Sequence, residues 1–129
     1  MSDQPLPPAQ PTSPPSAVPT APPMASLEDF QRIHLRVGTV VSAELHPNAD
    51  RLLVLQVDLG TEKRQVVAGI RHAYEPSTLV GKQVIVVTNL KPAVLRGIES
   101  QGMALAASAD ATVALLTTDR PVPVGSLVK

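Results

Sequence analysis

The stretch LLVLQVDLGTEKRQVVA, residues 52–68, decides the fold of this chain. Its first half alternates in polarity as a β-strand does, and one face carries Leu53, Leu55, Val57 and Leu59. Residues 60–62, Gly-Thr-Glu, have the composition of a turn, and residues 63–68 return as a partner strand. The stretch therefore predicts an antiparallel β-hairpin with one apolar face.

Strand signals continue on both sides of this hairpin. Residues 36–41, RVGTVV, are rich in β-branched side chains and predict a strand, and residues 46–50, HPNAD, predict the turn that follows it. Residues 83–90, QVIVVTNL, are the most apolar strand candidate. Two more short strands are expected near residues 102–107 and 112–116.

Helical signals are few and short. Ser26 is placed to cap a helical turn that ends at Phe30. Residues 75–80, EPSTLV, predict the one helix inside the domain, with Pro76 in its first turn and Gly81 as its stop. Roughly five or six short strands, with a short helix between the third and the fourth, suit a closed barrel better than an open sheet. The predicted fold is all-β, a five-stranded OB-type barrel.

The first 25 residues differ in composition from the rest. They contain nine of the 14 prolines and one charged residue, Asp3, so they bury too little apolar surface to offset the entropy of ordering. We predict a disordered, partly polyproline-II tail over residues 1–25 and one folded domain over residues 26–129. The tail lacks the basic segment and continuous apolar core of a signal peptide.

Charge and cysteine content narrow the class of protein. Residues 26–129 carry 11 Lys and Arg against 10 Asp and Glu, so a nucleic-acid binder must gather its cations on one face. The absence of cysteine excludes disulfides and thiolate metal sites. No apolar run reaches the roughly 18 residues needed to cross a bilayer. These features predict a cytoplasmic protein that does not enter the membrane.

The sequence offers no constellation for catalysis. Its histidines, His34, His46 and His72, are scattered without the spacing of metal ligands. It contains no GxGxxG, GxxxxGKS or GxxxxGKT loop for phosphates, and no GxSxG around a serine. We therefore predict no enzymatic activity, no metal and no cofactor.

Aromatic side chains, the usual platforms for single-stranded nucleic acid, are scarce. OB barrels bind oligonucleotides on a strand face and its bordering loops, and single strands stack there on aromatic residues. Here the aromatic residues are Phe30 and Tyr74 alone, and Tyr74 is as compatible with the core or a dimer interface as with an RNA platform. The scarcity favours recognition of a folded RNA by shape, through phosphates and 2′-hydroxyls.

Residues 89–107, NLKPAVLRGIESQGMALAA, are the candidate for that contact. Glycines punctuate the stretch and favour exposed backbone. Lys91 and Arg96 suit phosphate contacts, whereas Asn89 and Ser100 suit sugar hydroxyls. The alternative interpretation is a solvated loop whose serine caps a turn.

Residues 29–129 resemble the tRNA-binding domain that occurs as free-standing bacterial proteins and at the C-terminus of many methionyl-tRNA synthetases. The resemblance is carried by three motifs in order: DFQRIHLRVGTVVSAELHPNADRLLVLQVDLG, VVAGIRHAYEPSTLVGKQVIVVTNLKP and LRGIESQGMALAA. It implies an OB-fold that binds tRNA without regard to its anticodon, by the shape of the outer corner of the L. Free-standing members are homodimers, so a homodimer and a methionyl-tRNA synthetase partner are expected.

By position in the motifs, the resemblance implies RNA contacts from Asn89, Lys91, Arg96, Ser100 and Met103. Core packing is the alternative role for Met103, because methionine fills irregular gaps. The HPNAD turn contributes Asn48 and Asp50 to the motif, and a structural role is the preferred interpretation for both. Arg71 is expected to be a peripheral phosphate contact.

Two other functions remain open. A secretion-chaperone branch shares the fold, so the chain is alternatively a binder of unfolded or exported peptides. That branch generally lacks the HPNAD turn, which is present here. The third possibility is an assembly module that docks synthetases, with the Pro-rich tail as its tether.

Overall fold

A computed structural model describes residues 22–129, which fall into two units. The first unit ends at Phe30, and the second, Gln31–Lys129, contains the strands. Most of the predicted tail, residues 1–21, lies outside the described residues. The tail and its boundary at residue 26 therefore stay predictions.

A five-residue helix, α1 (Leu27–Gln31), follows Ser26. The Ser26 hydroxyl accepts a hydrogen bond from the Asp29 N–H at 3.0 Å, and the Asp29 carboxylate accepts one from the Ser26 N–H at 3.0 Å. This reciprocal pair is a capping box, as the sequence position of Ser26 predicted. Neither α1 nor any other helix within residues 22–129 is long and apolar enough to span a bilayer.

The rest of the described chain is built from short strands and one more helix. In chain order these elements are β1 (Leu35–Leu45), β2 (Leu53–Asp58), β3 (Lys63–Ala68), α2 (Pro76–Leu79), β4 (Gln83–Val87), β5 (Ala93–Leu95), β6 (Ile98–Ser100), β7 (Met103–Ala104), β8 (Ala106–Ala109), β9 (Thr112–Leu115) and β10 (Leu127–Val128). The predicted hairpin at residues 52–68 is confirmed as β2 and β3, which pair from Leu53↔Ala68 to Asp58↔Lys63.

The main sheet closes into a barrel. Its strands lie in the order β3, β2, β1, β4 and β7, each antiparallel to its neighbour, and β10 adds to one end of β1. The outer edge of β3 meets the segment between β6 and β7, where the Gln101 N–H donates to the Gln65 carbonyl at 2.7 Å. The predicted OB-type barrel of five strands, with a short helix between the third and the fourth, is confirmed.

The apolar face predicted for β2 forms the barrel interior. The buried side chains of this cluster include Val40, Leu53, Leu55, Val57, Val66, Leu79, Val84 and Val86. Leu79 belongs to α2, so this short helix covers part of the interior. Gly38 of β1 lies so close to β2 that a Cβ there would overlap the Val57 side chain. The close approach explains a glycine in the middle of a strand.

Some features of the strands differ from the sequence expectation, and β4 ends at Val87 rather than at residue 90. β1 continues to Leu45, beyond the predicted end at Val41, because its pairing with β2 shifts register between Val40 and Ser42 and then resumes. A bulge of this kind bends a strand without ending it. Within residues 102–116, β8 and β9 form a two-stranded sheet of their own, and β7 alone joins the barrel sheet.

Ser100 closes the barrel between β6 and β3. The residue is 6% exposed, and its hydroxyl accepts a hydrogen bond from the Val67 N–H at 2.9 Å. The same hydroxyl donates to the Gly102 carbonyl at 2.9 Å. Both hydrogen-bonding roles of the hydroxyl are therefore used inside the protein.

Replacing Ser100 by alanine is expected to lower the free energy of unfolding by about 1–3 kcal/mol, because the Val67 N–H is then buried without its acceptor. Urea unfolding followed by circular dichroism measures the change. Ser108→Ala, on the exposed strand β8, is the matched control and is expected to change stability by less than about 0.5 kcal/mol. Equal stability of the two variants would contradict the closing role of Ser100.

Candidate functional site

Two loops of the barrel meet at one edge. The first is the HPNAD turn (residues 46–50), which follows β1, and the second is the Arg96 hairpin (residues 93–100), which consists of β5 and β6. In OB barrels, the loop between the first two strands and the loop between the last two border the oligonucleotide-binding face. The edge where these loops meet is therefore the candidate site.

Hydrogen bonds join the two loops at two points. The imidazole Nε2 of His46 lies 3.0 Å from the carbonyl oxygen of Leu95, and the Arg96 guanidinium donates to the Asn48 carbonyl at 3.1 Å. The imidazole is buried, whereas Arg96 and Asn48 are exposed. The structure thus brings together Asn48 and Arg96, two of the residues predicted to contact RNA.

The Arg96 hairpin reverses direction within two residues. Leu95 pairs with Ile98, and the residues between them, Arg96 and Gly97, have φ values of 53° and 92°. Positive φ at both central positions is the pattern of a type I′ turn, whose twist matches that of the paired strands. Glycine adopts this conformation freely, whereas an arginine there is strained. Such a conformation persists only where the surrounding structure imposes it.

A second group of predicted contact residues lies where β4 ends. The Asn89 side chain accepts a hydrogen bond from the His34 N–H at 2.9 Å and donates one to the Arg32 carbonyl at 2.7 Å. Lys91 is exposed and has no ion-pair partner within residues 22–129. Lys91 lies two residues before β5 and Arg96 follows it directly, so this strand, about 10 Å long at about 3.3 Å per residue, separates the two cations.

The remaining predicted contact residues have different surroundings. Ser100 is buried and hydrogen-bonded within the barrel. Met103 of β7 lies opposite Val87 and is 46% exposed, so its side chain is available at the surface. Arg71 is half-buried, and its N–H donates to the carbonyl of Arg51, the residue after the HPNAD turn, at 3.2 Å.

Tyr74 packs against the barrel core. Its hydroxyl accepts a hydrogen bond from the Leu115 N–H at 2.9 Å, and the Lys82 ammonium lies 5.6 Å from the centre of its ring. Of the three roles that the sequence left open for Tyr74, this packing supports the core role. The candidate site therefore has no aromatic platform among its described residues.

A polar cleft beside Asn89 contains basic side chains that the sequence analysis did not assign to the site. His34, Arg36 and Arg64 line this cleft, whose volume is about 230 Å³. His34 and Arg36 flank the buried Leu35, so they share the outer face at the start of β1. This period of two was the signal in the sequence that could have identified them.

Arg64 is engaged by the fold rather than available to a ligand. Its guanidinium donates to the carbonyls of Thr88 at 2.6 Å and Gln101 at 3.1 Å, and to the Glu62 carboxylate at 2.8 Å. The hydrogen bond and the charge of Arg64 lower the pKa of Glu62. Arg36, in contrast, has no ion-pair partner within the described residues.

The described side chains and backbone groups of the site are suited to binding. Within residues 22–129, no three His, Asp or Glu side chains are grouped to hold a metal ion. His46, the histidine of the HPNAD turn, has both ring nitrogens in hydrogen bonds. The site instead presents exposed cations and backbone groups, which are the partners of phosphates and sugars.

Gly97→Ala is expected to loosen the Arg96 hairpin, because a φ of 92° strains any residue with a Cβ, although nothing lies within 4 Å of that Cβ. Faster hydrogen exchange of the amides of residues 95–98 measures the effect. Gly69→Ala is the matched control, because its φ is ordinary and its Cβ would meet only Leu52, at 3.9 Å. If the hairpin amides exchange at the same rate in Gly97→Ala and Gly69→Ala, the backbone at residue 97 does not need a glycine.

Comparison with known proteins finds matches across the barrel. A family described as "Putative tRNA binding domain" matches residues 35–127. Methionine–tRNA ligase of Thermotoga maritima is 53% identical over 103 residues, which are 80% of this chain and 16% of that protein. The chain therefore spans only a small part of the length of the curated relatives that it matches.

Two solved structures share the fold with substantial sequence identity. The MetRS-related protein of Pyrococcus horikoshii superimposes with a TM-score of 0.78 at 37% identity, over 83% of this chain and 99% of that chain. The chaperone CsaA of Bacillus anthracis superimposes with a TM-score of 0.76 at 33% identity, over 83% of this chain and 100% of that chain. The names of these two proteins point to different functions for one fold.

Proposed function

This chain belongs to the tRNA-binding domain family and is homologous to the C-terminal domain of methionine–tRNA ligases, and on that basis we propose that it recognises tRNA by shape, without regard to the anticodon. The observation that carries the proposal is the joining of the HPNAD turn to the Arg96 hairpin, at the loops where OB barrels bind oligonucleotides. The chain then acts as a binding module without catalysis of its own.

The proposal divides the predicted contact residues by what their side chains already bind. Ser100 and Asn89 shape the surface, because their side chains are hydrogen-bonded within the protein. Asn48 positions Arg96 through its carbonyl. The side chains that face RNA in this proposal are Arg71, Lys91, Arg96 and Met103, all of which are exposed or half-buried.

The absence of an aromatic platform at the site favours a folded RNA over a single strand. Single-strand binders stack bases on aromatic side chains, and Tyr74 is used by the core here. A folded RNA presents phosphates and 2′-hydroxyls in a fixed arrangement that cations and backbone groups can match. Strand β5 lies between Lys91 and Arg96, and this separation suits contacts with more than one phosphate.

Fluorescence anisotropy with unfractionated tRNA tests the proposal directly. A duplex RNA of equal length serves as the competitor, and both titrations are made at two salt concentrations. Shape recognition requires that tRNA binds more tightly than the duplex at both. If both RNAs bind equally weakly and lose affinity as salt is added, the interaction is nonspecific electrostatic binding, and the proposal is wrong.

Lys91→Ala is expected to weaken tRNA binding and to reduce the slope of log K against log salt by about 0.7 to 0.9, the value for one phosphate contact. The affinity and the slope come from the same titration. Arg120→Ala removes the same charge from an exposed side chain that pairs with Asp119, and it is expected to leave both quantities unchanged. A similar loss in both variants would show that net charge, not position, sets the affinity.

The proposal extends to a homodimer in the cytoplasm that works beside a methionyl-tRNA synthetase. Its support is the resemblance to free-standing members of the family and the 53% identity to a methionine–tRNA ligase. Sedimentation of the full chain at micromolar concentrations tests the dimer, and a monomer over the whole range would contradict it. Co-purification of the synthetase with the tagged chain tests the partner.

A chaperone function is the second candidate, because the chain also superimposes on CsaA of Bacillus anthracis. Exposed apolar side chains lie at the site, since Leu45, the last residue of β1, is 51% exposed and Val94 of the Arg96 hairpin is 69% exposed. This function predicts that equimolar protein suppresses the aggregation of an unfolded client and that added tRNA does not interfere. A client that aggregates as fast as without the protein would exclude it.

A further inference from the structure

His46 and Ser100 are the two buried polar residues among the described residues. The Nδ1 of His46 accepts a hydrogen bond from the Asn48 N–H at 2.9 Å, and its Nε2 lies 3.0 Å from the Leu95 carbonyl oxygen. A backbone N–H is only a donor and a carbonyl oxygen is only an acceptor, so Nδ1 is bare and Nε2 carries the hydrogen. The two partners together select one neutral tautomer.

The Arg96 hairpin depends on anchors outside itself. Its two strands pair over Ala93↔Ser100, Val94↔Glu99 and Leu95↔Ile98, and they form a sheet separate from the main one. A two-stranded ribbon of this kind is marginally stable in water. Val94 is 69% exposed and Leu95 is 37% exposed, so apolar burial contributes little near the tip. Ser100 fastens the end beside the barrel, and His46 is the buried contact near the tip.

The hydrogen bond from His46 acts on the peptide group that precedes Arg96. The carbonyl of Leu95 and the N–H of Arg96 belong to one planar unit, so a partner that holds the oxygen also orients the nitrogen. The next rotation along the backbone, about the N–Cα bond of Arg96, has a φ of 53°. A residue with a side chain keeps this conformation only where the surrounding structure imposes it. The buried imidazole therefore orients the backbone that carries the exposed cation.

From these contacts we propose that His46 is a positioning residue for tRNA binding, whose neutral Nε2–H form ties the HPNAD turn to the Arg96 hairpin and holds Arg96 in its binding arrangement. The inference rests on the tRNA-binding function proposed above. Without the hydrogen bond between His46 and Leu95, the hairpin samples other arrangements. The apparent affinity for tRNA then falls in proportion to the fraction of molecules that keep the binding arrangement. One lost hydrogen bond corresponds to a decrease of about three- to tenfold.

Two amide substitutions separate the two hydrogen bonds of His46. A glutamine amide nitrogen reaches the place of Nε2 and donates to the Leu95 carbonyl, whereas an asparagine reaches only the place of Nδ1. We expect His46→Gln to bind tRNA within about twofold of the wild type, and His46→Asn to bind about three- to tenfold more weakly. His72→Asn makes the same change at an exposed histidine and is expected to have no effect.

NMR of the free protein tests the contact without RNA. The ¹⁵N shifts of the His46 ring are expected to report the Nε2–H tautomer. Hydrogen exchange of the amides of residues 94–98 is expected to accelerate in His46→Asn and to stay slow in His46→Gln. The amides of β2 and β3 are expected to keep their protection in both variants, which separates a loosened hairpin from a destabilised barrel.

The possible results distinguish a failure of the positioning role of His46 from a failure of the proposed tRNA-binding function. An Nδ1–H tautomer in the wild type, or unchanged hairpin exchange in His46→Asn, overturns the positioning role whatever the RNA result. A loosened hairpin with undiminished tRNA affinity overturns it as well. A wild type that does not prefer tRNA overturns the proposed function, and the NMR measurements then still decide whether His46 holds the hairpin. If His46→Asn does not fold, the wild-type tautomer and the affinity of His46→Gln decide.

Discussion

The attachment of one short segment, residues 93–102, is the constraint on which both the barrel and the candidate site depend. At one end of this segment, the Ser100 hydroxyl and the Gln101 N–H pair with β3 and close the barrel. Near the other end, the Leu95 carbonyl meets the buried imidazole of His46. Leaving a buried polar group without its hydrogen-bond partner costs free energy, so both contacts stabilise the attachment of this segment. Closure of the barrel and the shape of the candidate site are therefore set by the same segment.

The proposed RNA surface depends on the placement of the cations rather than on their number, because the chain has no net charge. The formal net charge of the chain is +0, which by itself argues for no nucleic-acid partner. The structure divides the cations by role, because Arg64 is held by two carbonyls and a carboxylate, whereas Lys91, just before the Arg96 hairpin, and Arg96, at its tip, stay exposed. A local concentration of exposed positive charge is sufficient for phosphate contacts.

The parts of the fold that could be predicted are those whose signal is local. Residues 52–68 showed a clear period of two around a glycine turn, and the structure forms β2 and β3 there. The extension of β1 to Leu45 and the pairing of β10 with β1 could not be predicted, because they follow from a register shift and from a partner far along the chain. Lys91 and Arg96 were predicted as contact residues from their motif, whereas the cleft that contains Arg36 was recognised only in the folded structure.

By itself, the sequence determined the alternating strands, the turn chemistry, the absence of cysteine and the family motifs, and from these the barrel and its family. Only the tertiary structure decided what each polar side chain does. Ser100 bonds to Val67, 33 residues away, and His46 bonds to Leu95, 49 residues away. The residues that neighbour a serine or a histidine in the sequence do not indicate which distant backbone group will lie beside that side chain. Such a group becomes a partner only when the folded barrel buries both and water can no longer satisfy them.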